Sequence, residues 1–193
     1  SVNERASLLF AAMLRATRTF LLALARDVII AHTEQREWVE PEGIPNDAAM
    51  CGGCFVSLHR SDGALRGCVG TFDASQALWR NVDHMAVGAA SRDPRFSRLS
   101  RKELDRCVIE ISALSRPTPS SAERVEVGVH GVMIEGRGKQ AVLLPQVSIV
   151  HGWSASTLLG ETCRKAGLDP ESWRDSDVRL ATFTAEVFGE SDV

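Results

Sequence analysis

The stretch from Leu65 to Phe72, which reads LRGCVGTF, constrains the fold of this chain more than any other. The preceding segment, CFVSLHR from Cys54 to Arg60, is separated from it by Ser61-Asp62-Gly63. Asp-Gly is a strong hairpin signal because both residues tolerate a positive φ, so the two segments are predicted to be antiparallel strands joined by a tight turn. Two glycines within four residues of a strand also predict that another group approaches this backbone closely.

A two-residue turn at Asp62-Gly63 fixes which residues face each other across the hairpin. The expected cross-strand pairs are Ser61 with Ala64, His59 with Arg66, Ser57 with Cys68, and Phe55 with Gly70. One face is then uniformly apolar and is predicted to be core, with Val56, Leu58, Leu65 and Val69 on it. The other face is mainly polar, with open space expected at Gly70, and it is the predicted site.

The chemistry of that site centres on Cys68. Arg66 is expected on the same side of the strand, where a fixed positive charge favours a thiolate and can hold a substrate carboxylate. Cys68 would then be a nucleophile or a soft ligand, with His59 as acid or base. Glu110 reaches this face only if its strand joins the sheet on the correct side. The alternative is that Cys68 is a small buried hydrophobe, as free cysteines often are.

The rest of the chain mixes helical and strand patterns. Helices are predicted over Glu4–Thr33, with Thr17 or Thr19 capping a second helix inside it, over Ser75–Arg92, from Ser100 with capping-box spacing, and over Ser154–Ala166. Strands are predicted over Cys107–Ser115, in a second hairpin that ends with Ala141–Val147, and over Val178–Phe188. The predicted fold class is α+β, with a mixed, mainly antiparallel sheet and flanking helices.

Composition excludes some classes of function. The net charge of -3 gives no general attraction to nucleic acid or acidic membranes. The apolar runs are too short to cross a bilayer, and no signal peptide is expected. Five scattered cysteines are typical of reduced thiols, so a cytoplasmic location is predicted.

Two further groups of residues allow alternative interpretations. Cys51 and Cys54 have the spacing of a redox pair or half a zinc site, but the motif opens a strand and no second pair follows, so a loop-to-strand junction is favoured. No metal or cofactor is predicted. Arginines recur every three residues from Arg92 to Arg101, either as a nucleic-acid patch or as a solvated loop that pairs with carboxylates, and we favour the loop.

These residues resemble the AMMECR family, named in bacteria and archaea as AmmeMemoRadiSam system protein A. The resemblance covers about residues 18 to 190, and LRGCVGTF is its most specific block. The other matching segments include AASRDPRFSRLSRKEL from Ala89, IEISALSRP from Ile109, GVHGVMI from Gly128, LLPQV from Leu143, CRKAGL from Cys163 and AEVFGE from Ala185. The chain differs at Val150, where relatives often carry a glutamate.

The resemblance implies one domain over residues 18–190, built as a larger and a smaller intertwined subdomain with a cleft between them. Residues 1–17 are then an N-terminal helical extension. It also implies genomic company with a Memo-like protein and a radical SAM protein. The motif positions that it marks are Arg66, Gly67, Cys68, Gly70, Thr71, Asp93, Pro94, Arg95 and Phe96.

Three functions remain open at this point. The favoured one is an accessory module that binds a Memo-like or radical SAM partner, or a small molecule, beside the hairpin. The second is an enzyme that uses Cys68 with Arg66 and His59. The third is nucleic-acid binding through the Arg92 to Arg101 segment, which the net acidity and the lack of interleaved aromatic residues disfavour.

Overall fold

The computed structural model describes residues 13–192, which divide into two compact units. Of the described residues, one unit holds 13–114 together with 186–192, and the other holds Ser115–Ala185. Each unit has its own sheet and its own apolar core. The predicted α+β class with mainly antiparallel pairing is therefore confirmed. Most of the predicted N-terminal extension lies outside the described residues.

The described residues form eight strands and five α-helices. The strands are β1 (Gly53–Arg60), β2 (Leu65–Thr71), β3 (Cys107–Leu114), β4 (Thr118–Pro119), β5 (Gly131–Gly136), β6 (Lys139–Leu143), β7 (Val178–Phe183) and β8 (Ala185–Gly189). The α-helices are α1 (Arg15–Thr33), α2 (Leu78–Ser91), α3 (Arg101–Leu104), α4 (Pro145–His151) and α5 (Ala155–Lys165). Short 3-10 turns cover Ala122–Arg124 and Ser172–Arg174.

The first unit packs helices on one face of its sheet, whose strand order is β2-β1-β3-β8. β1 is central and antiparallel to both β2 and β3. Alternate residues of β1 and β3 are buried, among them Val56, Leu58, Ile109 and Ile111. They form one core cluster with the apolar stripes of α1 and α2, because residues three or four apart share a helix face. The remaining residues of β1 and β3 lie on the opposite face of the sheet.

The two predicted helix boundaries in this unit have different outcomes. α1 begins at Arg15 with Leu14 at its N-cap, so the prediction that Thr17 or Thr19 caps a helix start is wrong. The Thr17 hydroxyl donates to Asp47 Oδ1 at 2.7 Å, and the Thr19 hydroxyl donates to the Arg15 carbonyl at 3.0 Å. The capping box is confirmed, because Ser100 and Glu103 satisfy each other's backbone N–H groups at the start of α3.

The second unit packs α5 on a sheet of order β4-β7-β5-β6. The predicted hairpin of β5 and β6 is confirmed, and its core includes Val132 and Ile134 of β5 with Leu158 and Leu159 of α5. The predicted cap of α5 is also confirmed, since Ser154 Oγ accepts a hydrogen bond from the Thr157 N–H at 3.2 Å.

Two predicted strand boundaries near this unit are wrong. The strand predicted up to Val147 ends at Leu143, because Pro145 starts α4 and its fixed φ suits the first helical turn. The single strand predicted over Val178–Phe188 is two strands, β7 and β8, that belong to different sheets. No glycine or proline marks the break between them.

Candidate functional site

The turn between β1 and β2 is one residue longer than predicted. The Gly63 N–H donates to the Arg60 carbonyl at 2.9 Å, and the Arg60 N–H donates to the Ala64 carbonyl at 2.8 Å. Residues 61–63 therefore form the loop, and Gly63 adopts a φ of 83°, which glycine tolerates without strain. The predicted pair of Ser61 with Ala64 is wrong, because Arg60 takes that place.

A β-bulge in β2 follows the turn. His59 faces Leu65 and Leu58 faces Gly67, so Arg66 is the extra residue between them. The predicted pair of His59 with Arg66 is therefore wrong. Leu65 lies opposite His59 and is half-buried, so the prediction that it is core is also wrong.

Beyond the bulge the predicted register holds. Ser57 faces Cys68 and Phe55 faces Gly70. The agreement arises because the longer turn shifts the pairing by one residue and the bulge shifts it back. The open space expected at Gly70 is filled, since a Cβ there would lie 2.3 Å from the Phe55 ring.

The bulge directs the Arg66 side chain to α3 rather than to Cys68. The residue is only 3% exposed. Its Nε and Nη2 donate to Glu103 Oε1 at 3.2 and 3.1 Å, and its Nη1 donates to the Ser97 carbonyl at 3.0 Å. The Phe96 ring centroid lies 5.8 Å from the guanidinium carbon. The prediction that Arg66 is the cation beside the Cys68 thiolate is therefore wrong, because its guanidinium binds Glu103 and the Ser97 carbonyl.

Cys68 is half-buried and is held by two other side chains. The Ser57 hydroxyl donates to Sγ at 3.2 Å, and Asp93 Oδ2 accepts a hydrogen bond from the Cys68 N–H at 2.9 Å. The same Asp93 oxygen accepts from Arg95 Nη2 at 2.7 Å. The pKa of Arg95 is raised, first by its hydrogen bonds to Asp93 and more weakly by charge on Cys68. Arg95 is therefore the guanidinium that shares a carboxylate with Cys68.

Asp93 is buried and organises this part of the site. Its Oδ1 accepts from the Arg95 N–H and Nε at 3.1 and 3.0 Å, in addition to the bonds at Oδ2. The pKa of Asp93 lies well below its usual range, chiefly because of the side-chain hydrogen bonds from Arg95, and also because the Cys68 N–H donates to it. The Asp-Pro-Arg-Phe segment predicted only a helix break. The local sequence signal for this structure is an aspartate whose side chain accepts a hydrogen bond from the backbone N–H two residues further along, here that of Arg95.

Glu110 joins the same sheet face. β3 pairs with the other side of β1 and places Glu110 opposite Ser57. The strand of Glu110 therefore joins the sheet on the side that the sequence analysis required. Cys68, Ser57 and Glu110 thus form a row across three strands. His59 Nε2 lies 3.8 Å from Glu110 Oε1. We call Ser57, His59, Cys68 and Glu110 the polar face; all four are half-buried.

The polar face combines groups that recognise ligands in different ways. Cys68 and Ser57 offer a polarizable sulfur beside a hydroxyl, while His59 and Glu110 offer an imidazole beside a carboxylate. The thiol contacts Ser57, whereas the imidazole lies 3.8 Å from the Glu110 carboxylate. This arrangement suits hydrogen bonding to a ligand or partner. The imidazole and the thiol interact with different side chains, Glu110 and Ser57, and not with each other.

Two of the remaining motif positions have structural contacts. A Cβ at Gly67 would lie 2.1 Å from the Ala89 carbonyl oxygen, so the α2 backbone approaches β2 too closely for any side chain. The predicted close approach is therefore confirmed. Thr71 Oγ1 accepts a hydrogen bond from the Asp73 N–H at 3.0 Å, which fixes the chain as it leaves β2.

The cysteines of the Cys51–Cys54 motif have different environments. Cys51 is exposed, and its Sγ lies 3.8 Å from the Ser75 carbonyl oxygen. Cys54 is buried in the core, where burial raises its pKa to about 12. β1 begins at Gly53, so the favoured interpretation as a loop-to-strand junction is confirmed.

The arginines between Arg92 and Arg101 are largely engaged by other groups. Arg95 pairs with Asp93, and Arg101 pairs with Asp105 and Glu34. Arg92 donates to the His84 carbonyl at 2.8 Å. The favoured interpretation, a loop whose arginines pair with carboxylates, is confirmed for Arg95 and Arg101.

Two features are absent from residues 13–192. None of the helices there is long and apolar enough to cross a membrane. The same residues contain no group of three or more His, Cys, Asp or Glu side chains arranged to hold a metal ion.

Comparison with known proteins identifies the family. The AMMECR1 family model matches residues 22–188, which include every residue of the polar face. This chain belongs to the AMMECR1 family. A protein from Thermococcus onnurineus is 38% identical over 182 residues, which is 89% of each chain. Protein PF1979 from Pyrococcus furiosus is 36% identical over 182 residues, covering 89% of this chain and 87% of its own.

A solved structure shows the same AMMECR1 fold. The crystal structure of protein PH0010 from Pyrococcus horikoshii superimposes with a TM-score of 0.81 at 34% identity. The match covers 90% of this chain and 91% of that chain. The family resemblance drawn from the motifs is therefore confirmed.

Proposed function

We propose that this protein is an accessory, binding component of a system with a Memo-like protein and a radical SAM protein. In this proposal the polar face contacts one of these partners or a small molecule. The observation that carries the proposal is the polar face itself. One side of the sheet is core, while the other carries a thiol, a hydroxyl, an imidazole and a carboxylate that are all partly exposed.

The contacts within the polar face favour binding over catalysis by this chain alone. A cysteine nucleophile is activated by a base or by a neighbouring positive charge. The thiol of Cys68 is engaged by the Ser57 hydroxyl and the His59 imidazole lies beside Glu110, so neither contact places a base or a positive charge against the thiol. These side chains are positioned by paired strands, which gives a rigid surface and lowers the entropy cost of binding.

The test is co-purification with a Memo-like protein and a radical SAM protein from the same organism, under anaerobic conditions. Glu110→Lys reverses a charge in the polar face, and Glu135→Lys is a matched control. Both glutamates lie in strands, are partly exposed and have a basic neighbour, His59 for Glu110 and Arg179 for Glu135. We expect Glu110→Lys to abolish retention of a partner and Glu135→Lys to preserve it. Retention of neither partner by the wild type, or equal behaviour of the two variants, would contradict the proposal.

A second candidate function is a Cys68-dependent enzyme, with Arg95 in place of Arg66. The observation in its favour is that Arg95 shares Asp93 with the Cys68 backbone N–H, which brings a guanidinium charge close to this residue. Cys68→Ser should then abolish the activity of the complete system, whereas Cys51→Ser, at an exposed cysteine, should preserve it. A Cys68→Ser protein that matches the wild type in every assay of the system would exclude this candidate.

A further inference from the structure

A separate pocket lies at the turn end of the first unit's sheet, and none of the four polar-face residues lines it. Its volume is about 220 Å³. The wall is formed by the hairpin loop, the bulge residue Arg66, Glu103 of α3, and Arg106 with Cys107 at the start of β3. Segments distant in sequence therefore converge on one small cavity within a single unit.

Three arginines and two carboxylates line this pocket. Glu103 is already engaged, since Oε1 accepts from Arg66 and Oε2 accepts from the Ser100 backbone and hydroxyl. Within residues 13–192, the side chains of Arg60 and Arg106 have no hydrogen-bond or ion-pair partner. Their two charges face only one further carboxylate, that of Asp62. The pocket therefore has an excess of positive charge.

The buried guanidinium of Arg66 adds unused donors. A guanidinium has five N–H groups. The hydrogen bonds of Arg66 use one N–H each on Nε, Nη1 and Nη2, which leaves two N–H groups on a side chain that is 3% exposed and lines the pocket. A buried donor without an acceptor is costly, so an oxyanion in the pocket would remove that cost.

The pKa of the Cys107 thiol, at the wall of the pocket, is affected by the charges around it. Burial raises the pKa of this thiol and the charge of Glu103 adds to that rise, while the charges of Arg66, Arg26 and Arg60 act in the opposite direction. Three guanidinium charges and one carboxylate charge thus act on one atom at the wall of the cavity. This agrees with the excess of positive charge counted from the lining residues.

We propose that this pocket binds a small oxyanion, the phosphate or carboxylate group of a small molecule, through Arg60, Arg66 and Arg106. The planar fork of a guanidinium matches both groups, and it can form two parallel hydrogen bonds with either. The β-bulge then has a function, because it aims the buried Arg66 at the pocket. The volume admits a ligand of only a few heavy atoms around that group.

Isothermal titration calorimetry tests the proposal with the whole chain. Sodium phosphate is titrated in one series and sodium malonate in another, with sodium chloride holding the ionic strength constant. We expect saturable binding at one site, and the tighter probe identifies which oxyanion the pocket prefers. Arg60→Gln and Arg106→Gln should each weaken binding by about tenfold, because each removes a charged donor.

The controls separate a built site from general charge. Arg124→Gln removes the same charge from an exposed residue of the other unit and should change affinity by less than about twofold. Asp62→Asn removes the opposing carboxylate and should tighten binding, which keeps the test usable if an arginine variant fails to fold. Absence of saturable binding for both probes, equal weakening by all three arginine variants, or wild-type affinity in Arg60→Gln and Arg106→Gln would overturn the proposal.

Discussion

Asp93 Oδ2 accepts a hydrogen bond from the backbone N–H of Cys68 at 2.9 Å, which ties the loop after α2 to the signature strand β2. The same carboxylate binds Arg95 through its backbone and its guanidinium. Two segments that carry the family resemblance, LRGCVGTF and Asp-Pro-Arg-Phe, therefore meet at one buried charge. The Asp93 carboxylate therefore joins the two segments in the folded protein.

Asp93→Asn should destabilise the protein by about 2 kcal/mol near neutral pH, because it weakens charged hydrogen bonds in a buried position. The pKa of Asp93 is held below its usual range in the folded protein, chiefly by Arg95. Its stabilising contribution is therefore complete above about pH 4 and is lost as the pH falls toward the folded-state pKa. Urea unfolding of both proteins should show a gap that shrinks as the pH falls from about 5 to about 2. A constant gap would contradict this assignment.

The five cysteines should differ in their reaction with an alkylating agent. Cys54, Cys107 and Cys163 are buried, and burial raises the pKa of each thiol, so they should react slowly in the folded protein. Cys51 and Cys68 are accessible and should be labelled first. Mass spectrometry of peptides at increasing reaction times measures the order, with urea-unfolded protein as the control. Rapid labelling of Cys54 would contradict the burial assigned to it.

Gly67→Ala should destabilise the protein by about 3 kcal/mol, because its Cβ would lie 2.1 Å from the Ala89 carbonyl oxygen and the α2 backbone would have to move. Gly189→Ala is the matched control. It also lies in a strand, and its Cβ would make ordinary contacts at 3.5 Å. Chemical denaturation of both variants measures the difference. Equal stability of the two would show that β2 and α2 are less closely packed.

The hairpin shows how far the sequence can predict this site. The pairing of Ser57 with Cys68 was predicted correctly although the predicted turn was one residue too short, because the bulge restores the register in which polar and apolar residues alternate. The bulge at Arg66 was not predictable, since it depends on Glu103 and the Ser97 carbonyl, which lie more than thirty residues further along the chain. Local patterns determine which face of a strand is buried, whereas a buried charge is placed by partners that only the tertiary structure brings near.

The same limit applies to Asp93 and to the end of the chain. Asp93 was marked as a motif position, but its contact with Cys68 spans 25 residues and has no periodic signal. The break between β7 and β8 occurs without a glycine or proline, so no local signal in the sequence marks the change of sheet. The overall class was predictable because hairpins and amphipathic helices are local.

Glu103→Gln isolates the contact that holds the bulge in place. Gln keeps an oxygen for the capping box of α3, but it removes the charge that faces the buried Arg66 guanidinium. Because Glu103 is about half exposed, we expect a loss of about 2 kcal/mol, below that for a fully buried pair. Ser100→Ala removes only the cap and should cost about 1 kcal/mol. Denaturant unfolding of both variants compares these losses, and a Glu103→Gln loss no larger than that of Ser100→Ala would show that the Arg66 ion pair contributes nothing to stability.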